Sequence, residues 1–154
     1  MTNKNLDKYL GRQFVYGVTD CYTLFRDFYK DELGIELPNF ARYEGWWNDG
    51  LNLYADNMPK HGFYLLPQGE ELIYGDVILV CLCSPVPSHS AIYIGENKIL
   101  HHVQDHLSCI SPYRGIFKNC TASIWRHESR KDIKPERKLY GVKEEDNRDA
   151  TIAI

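Results

Sequence analysis

Apolar and polar positions separate most cleanly between residues 21 and 33. Leu24, Phe25 and Phe28 recur at helical spacing while Arg26, Asp27, Lys30 and Asp31 take the opposite side, the pattern of a helix with one face in a core. Asp20 stands where an N-cap belongs and Gly34 where a helix terminator does. The pattern therefore predicts a helix from Cys21 to Leu33. Ahead of it, Leu6 to Leu10 predicts one helical turn and LGRQFVYGVTD a glycine-containing connection. Behind it, beyond Pro38, NFARYEGWWNDGLNLYADNMPKHGFYLLP mixes aromatics with turn formers and predicts short helices and loops.

After Gly75 the period changes. DVILVCLC is a nearly continuous apolar run, as expected of a strand covered on both faces. SAIYIG and KILHHV predict two more strands joined by a turn at Glu96 and Asn97, and ASIWRH predicts a last strand that closes the sheet. From Glu128 onward charges crowd together with little apolar periodicity. The expected layout is α+β, with a helix packed on a small antiparallel sheet. One domain is expected over residues 1–127, followed by a charged tail over 128–154 that is a candidate docking segment.

Composition narrows the function classes. A chain of 154 residues, 44% hydrophobic and 25% charged, has the makings of one globular core and not of a disordered chain. A net charge of −3, without a Lys/Arg cluster interleaved with aromatics, argues against a nucleic-acid partner. No run is long enough to span a bilayer, and the first residues lack the apolar stretch of a signal peptide, so membrane insertion is not expected. Five scattered cysteines fit free thiols made in a reducing cytosol.

One of those thiols is placed for chemistry. Cys21 follows the expected N-cap, and a helix amino terminus favours a thiolate through its exposed N–H groups and dipole. A base would have to come from elsewhere in the chain, and His89 opens a predicted strand. An imidazole base needs a third group on its other nitrogen, which His101 on the next strand offers. His101 and His102 alternate in direction, so one of them belongs with His89. Taken alone, a cysteine at a helix start is more often a small buried hydrophobe.

Three blocks together change that weighting. TDCYTLFRDFYKDELGIELP, IYGDVILV and HSAIYIGENKILHH resemble, in order and spacing, the nucleophile helix, the Gly-Asp strand and the histidine hairpin of the NlpC-type cell-wall cysteine peptidases, a papain-like family. The likeness covers roughly residues 11–102. It implies a papain-like fold and a Cys-His-His triad of Cys21 as nucleophile, His89 as base and His101 as orienting residue. No cofactor and no metal are expected, since the cysteine and histidine spacings match no compact ligand motif. The likeness also implies a peptidoglycan stem peptide as substrate, cut after D-glutamate. The GRQFVYGVTDCY segment and the paired Trp46 and Trp47 are similar to members of the family carried on phage tails. That implies a tail-tip location, other tail-tip proteins as partners, synthesis in the host cytoplasm and action in the host periplasm or cell wall.

The chain departs from the family where many members carry an oxyanion-stabilising tyrosine, because Phe14 takes that place. Tyr16 and the backbone N–H of Cys21 are the remaining oxyanion candidates. This departure favours a second reading, a tail-tip assembly protein with the same fold and little or no hydrolysis. A cellular papain-like acyl or amide transferase is a third. Tyr43, Trp46, Trp47 and Tyr54 either wall a substrate groove, with Trp46 and Trp47 the main candidates, or fill a small core. Cys81 and Cys83, with Cys109 and Cys120, have metal-ligand residue types, but a C-x-C in an apolar strand is ordinarily core packing. Asp76 at a strand start fits a turn or cap.

Overall fold

The computed structural model describes residues 5–135. The predicted helix is α1, Cys21–Leu33. Asp20 caps it with an extended backbone and a carboxylate that accepts from the Thr23 N–H at 2.9 Å. Gly34 ends it at φ 70°, a left-handed conformation that lets the Gly34 and Ile35 N–H groups reach the carbonyls of Lys30 and Tyr29. The predicted turn near residue 6 is a 3₁₀ turn, Asp7–Tyr9.

Six strands form one sheet: β1 (Phe63–Leu65), β2 (Val77–Val80), β3 (His89–Gly95), β4 (Lys98–His101), β5 (Cys109–Pro112) and β6 (Thr121–His127), in the order β1-β6-β2-β3-β4-β5. Every neighbouring pair is antiparallel. The β3–β4 turn falls on Glu96 and Asn97, at φ 52° and 57°, whose twist matches a tight hairpin. The region after Pro38 contains the expected short helical segments, Trp46–Asn48, α2 (Leu53–Asn57) and Pro59–His61. A four-residue helix α3, Ile116–Asn119, precedes β6.

Three details depart from the sequence-based pattern. The DVILVCLC run is strand only as far as Val80. Register shifts against β6 between Leu79 and Val80, and the chain then turns through Cys83 at φ 51° toward Pro85 and Pro87. Strand β6 lies inside the sheet, and the edge beside it belongs to β1. Both β1 and β5 went unpredicted, being too short or too polar to show a period of two; β5 is largely exposed and ends in proline. The tail expected from Glu128 begins with a 3₁₀ turn, Glu128–Arg130, tied back by Glu128 N–H to the Gly62 carbonyl at 2.8 Å and by Arg130 to the Tyr74 carbonyl at 2.9 Å. Its stretch beyond residue 135 lies outside the described residues.

Alternation in the central strands splits the core into two layers. Val77, Leu79, Ile92 and Leu100 face α1 and pack with Leu24, Phe25, Phe28 and Tyr29. Ile78, Val80, Ala91 and Ile99 face the other way, with Tyr113 and the partly buried Phe117. Each fully buried Val, Leu, Ile or Phe among them contributes roughly 1.5–3 kcal/mol of burial. Asp76 does cap a turn, accepting from the Ile73 N–H at 2.8 Å. It also receives a two-pronged bond from Arg126 of β6, at 2.9 and 2.8 Å, a buried ion pair that the local sequence did not announce. This layering brings the amino end of α1 to the start of β3.

Candidate active site

The amino end of α1 is fixed by charge. Asp20 is buried, and besides Thr23 N–H it accepts from the Gly17 N–H at 3.0 Å and from Arg42 at 2.9 and 3.1 Å. Burial alone would push this carboxyl up, yet Arg42 and the two backbone donors hold it below its ordinary value. Arg42 spends its remaining N–H groups on Asn39, the Phe40 carbonyl and Thr23. It thus anchors the segment after Pro38 to the helix start.

Cys21, the first helical residue, is half-buried. Its Sγ lies 3.1 Å from the hydroxyl of Tyr54 in α2, which lies 2.9 Å from Ser90 Oγ in β3; Ser90 Oγ donates in turn to the Cys21 carbonyl at 3.4 Å. Burial, and then the Asp20 carboxylate, push the Cys21 thiol up, and hydrogen bonds from Tyr54 and Ser90 pull only partly the other way. The helix position therefore does not by itself give the thiolate that it suggests in sequence. In the resting protein Cys21 is a neutral thiol.

His89 is buried at the start of β3, and its Nε2 lies 3.0 Å from Nδ1 of His101 in β4, whose Nε2 lies 2.8 Å from Ser111 Oγ in β5. The ring of Phe117 stands edge-on to His101 at 4.6 Å between centroids. Burial first, and then the neighbouring histidines, depress His89 to about 3; burial first, and then His102, depress His101 to about 4. Both rings are therefore neutral near pH 7. These distances fit two tautomer sets; in the one where His101 accepts at Nδ1 and donates from Nε2 to Ser111, His89 carries its proton on Nε2 and keeps Nδ1 as a basic lone pair.

Cys21 and His89 border one open cleft of about 380 Å³. Tyr16, Trp46, Trp47 and Phe14 line it as well. The Tyr16 hydroxyl donates to Gln104 at 2.7 Å, and its ring lies 6.1 Å from Trp47. Trp46 is almost wholly buried and Trp47 only partly, whereas Tyr43 is half-exposed and Tyr54 buried, so the aromatic stretch serves both groove and core. His101 pairs with His89, while His102 turns to the His106 carbonyl at 2.9 Å, although its ring also borders the cleft. Tyr54, Ser90 and Ser111 were not singled out for chemistry by sequence. Tyr54 counted only among the aromatics, and a serine in an apolar strand or a polar edge strand carries no spacing signal. Cys83 is exposed on the cleft rim and is not core packing, and among the described residues no three His, Cys, Asp or Glu side chains gather as a metal cage.

The sequence model of the NlpC/P60 family matches residues 11–126. The chain belongs to the NlpC/P60 family. The match runs from the connection before α1 to the next-to-last residue of β6. Among curated relatives, this NlpC/P60 chain is 47% identical over 119 residues to Tail tip assembly protein K of Escherichia phage lambda, covering 77% of this chain and 59% of that protein. It is 31% identical over 123 residues to Tail tip assembly protein K of Escherichia phage N15, covering 77% and 49%. The chain thus spans 59% and 49% of the length of these two relatives. Solved structures agree on the fold. A lipoprotein-like NLP/P60 protein of Staphylococcus aureus superposes with a TM-score of 0.54 at 21% identity, over 78% of this chain and 38% of that one. NlpC1 of Trichomonas vaginalis superposes with 0.53 at 18% identity, over 78% and 41%. Among the described residues no helix is long and apolar enough to cross a membrane.

Proposed function

We propose that this chain is a cysteine peptidase of the phage tail tip that cuts stem-peptide bonds of bacterial peptidoglycan. The observation that carries the reading is the shared cleft of Cys21, at a capped helix start, and a neutral His89 tied to His101 at 3.0 Å. His89 Nδ1 removes the thiol proton as Cys21 Sγ bonds to the stem-peptide carbonyl carbon. Imidazolium forms, and its Nε2–H is held by His101. The C–N bond then breaks as His89 returns the proton to the leaving amine. Water, deprotonated by His89, displaces the Cys21 sulfur from the thioester and frees the product acid, and His89 returns that proton to the sulfur. At the first helical position the Cys21 N–H has no partner within the helix, which suits it as an oxyanion donor; Tyr16, the second candidate in the cleft, has to turn its one O–H away from Gln104 to serve.

The tail-tip setting rests on the names of the two phage relatives, with other tail-tip proteins as partners and the host cell wall as the place of action. The bond after D-glutamate remains the expected cleavage point. A second reading, an assembly protein with this fold and little hydrolysis, is favoured by a specific observation: burial and the neighbouring Asp20 carboxylate push the Cys21 thiol up, away from the thiolate form. The two readings separate when purified protein and its Cys21→Ala variant are incubated with muropeptides under reducing conditions and the products weighed by mass spectrometry. Cleavage by the unsubstituted protein alone supports the peptidase. No cleavage by either protein supports the assembly reading.

A further inference from the structure

We propose that Tyr54 is a catalytic residue of this site, a hydroxyl switch that donates to the Cys21 sulfur when negative charge collects there. The proposal rests on the peptidase reading and adds a group to it. Tyr54 comes from α2, in the irregular aromatic stretch, and its hydroxyl is buried between Cys21 Sγ at 3.1 Å and Ser90 Oγ at 2.9 Å. The ring is held by aromatic neighbours, with centroids 6.0 Å from Tyr22, 6.1 Å from Trp46 and 6.4 Å from Phe40. A phenol packed in this way has one remaining freedom, rotation of its O–H.

Proton counting fixes what that rotation does. Ser90 has one proton and donates it to the Cys21 carbonyl at 3.4 Å. Tyr54 then donates to Ser90 Oγ and presents a lone pair to the Cys21 S–H, which closes a ring of three hydrogen bonds around a neutral thiol. Once His89 removes the thiol proton, the sulfur can only accept. The Tyr54 O–H turns to it, Ser90 turns its proton to the Tyr54 oxygen, and the long bond to the Cys21 carbonyl is given up. No heavy atom moves. The buried thiolate gains a charge-assisted bond where burial and Asp20 oppose its formation. Burial, and then Cys21 itself, keep the Tyr54 phenol far above its ordinary range, so it stays a donor.

The test reads the sulfur directly and needs no substrate turnover. The rate of Cys21 alkylation by iodoacetamide is followed against pH by peptide mass spectrometry in the full chain, in Tyr54→Phe, and in a chain with 2,3-difluorotyrosine at position 54. Loss of the donor in Tyr54→Phe is expected to raise the midpoint by about one pH unit and slow alkylation about tenfold at neutral pH. The more acidic fluorinated phenol is expected to lower the midpoint. An unchanged or lower midpoint in Tyr54→Phe overturns the proposal. If that variant does not fold, an unchanged or raised midpoint with difluorotyrosine overturns it. Muropeptide cleavage is scored separately, so a protein that cleaves nothing yet shows both shifts loses the peptidase reading and keeps the switch.

Discussion

The two walls of the cleft treat burial in opposite ways. On the helix side Asp20 stays charged although buried, because Arg42 and two backbone N–H groups compensate it. On the hairpin side His89 and His101 are equally hidden, face each other and Ser111, and have no carboxylate partner in that chain of bonds, so burial keeps both neutral. One wall is a fixed ionic brace, and the other is an uncharged relay that can take up a proton. In the proposed chemistry a thiol and an imidazole that are both neutral at rest separate charge as His89 takes the Cys21 proton.

Removing either partner of the relay step is the largest way to break this contrast. Cys21→Ala and His89→Ala are each expected to lower muropeptide cleavage on the order of 10⁶-fold, measured by product mass spectrometry. His101→Ala leaves His89 without its orienting acceptor and is expected to cost about 10³-fold, with His101→Asn recovering part of the loss. The brace fails in a different currency. Arg42→Ala strands a buried Asp20 carboxylate and should lower unfolding stability by about 3–5 kcal/mol in urea titrations.

Acid sharpens the comparison further. His89 and His101 have folded values of about 3 and 4, below the ordinary 6.5, so between those limits the unfolded chain binds more protons. Their contribution to stability is present above pH 6.5 and is lost as pH falls from there toward 3. Asp20 is also depressed, and its contribution is lost only below the ordinary carboxylate value of 3.8. Chemical denaturation at stepped pH should therefore show a decline that starts near pH 6.5, and His101→Asn should weaken that early phase by roughly 1–3 kcal/mol. The smallest effect belongs to Ser111→Ala, which removes one neutral hydrogen bond from the relay and should cost about 1 kcal/mol or less of stability and under tenfold in cleavage.

Sequence reached the parts of this molecule whose physics is local. The 3.6-residue period, the Asp20 cap and the Gly34 terminator define α1 to the residue, and alternation with a Glu96-Asn97 turn defines the hairpin that carries His89 and His101. It did not reach Tyr54, Ser90, Ser111, Arg42 or Arg126. Each of these acts across the fold, separated from its partner by anything from 10 residues to 69, and an arginine or a buried hydroxyl carries no periodic signature of whom it meets. Position at a helix start suggested a thiolate because local reasoning counts the dipole and not the tertiary burial. The neutral thiol follows from burial and from the Asp20 carboxylate beside it, which outweigh the hydrogen bonds of Tyr54 and Ser90.

The proposed chemistry requires Cys21 to form a covalent bond with the substrate carbonyl. Acid quenching of the protein during reaction with a stem tetrapeptide, followed by intact-protein and peptide mass spectrometry, tests it most directly. An acyl adduct mapped to Cys21 is expected to appear before product accumulates and to be absent from Cys21→Ala. Product release without any adduct on Cys21, or from the Cys21→Ala protein, would contradict it.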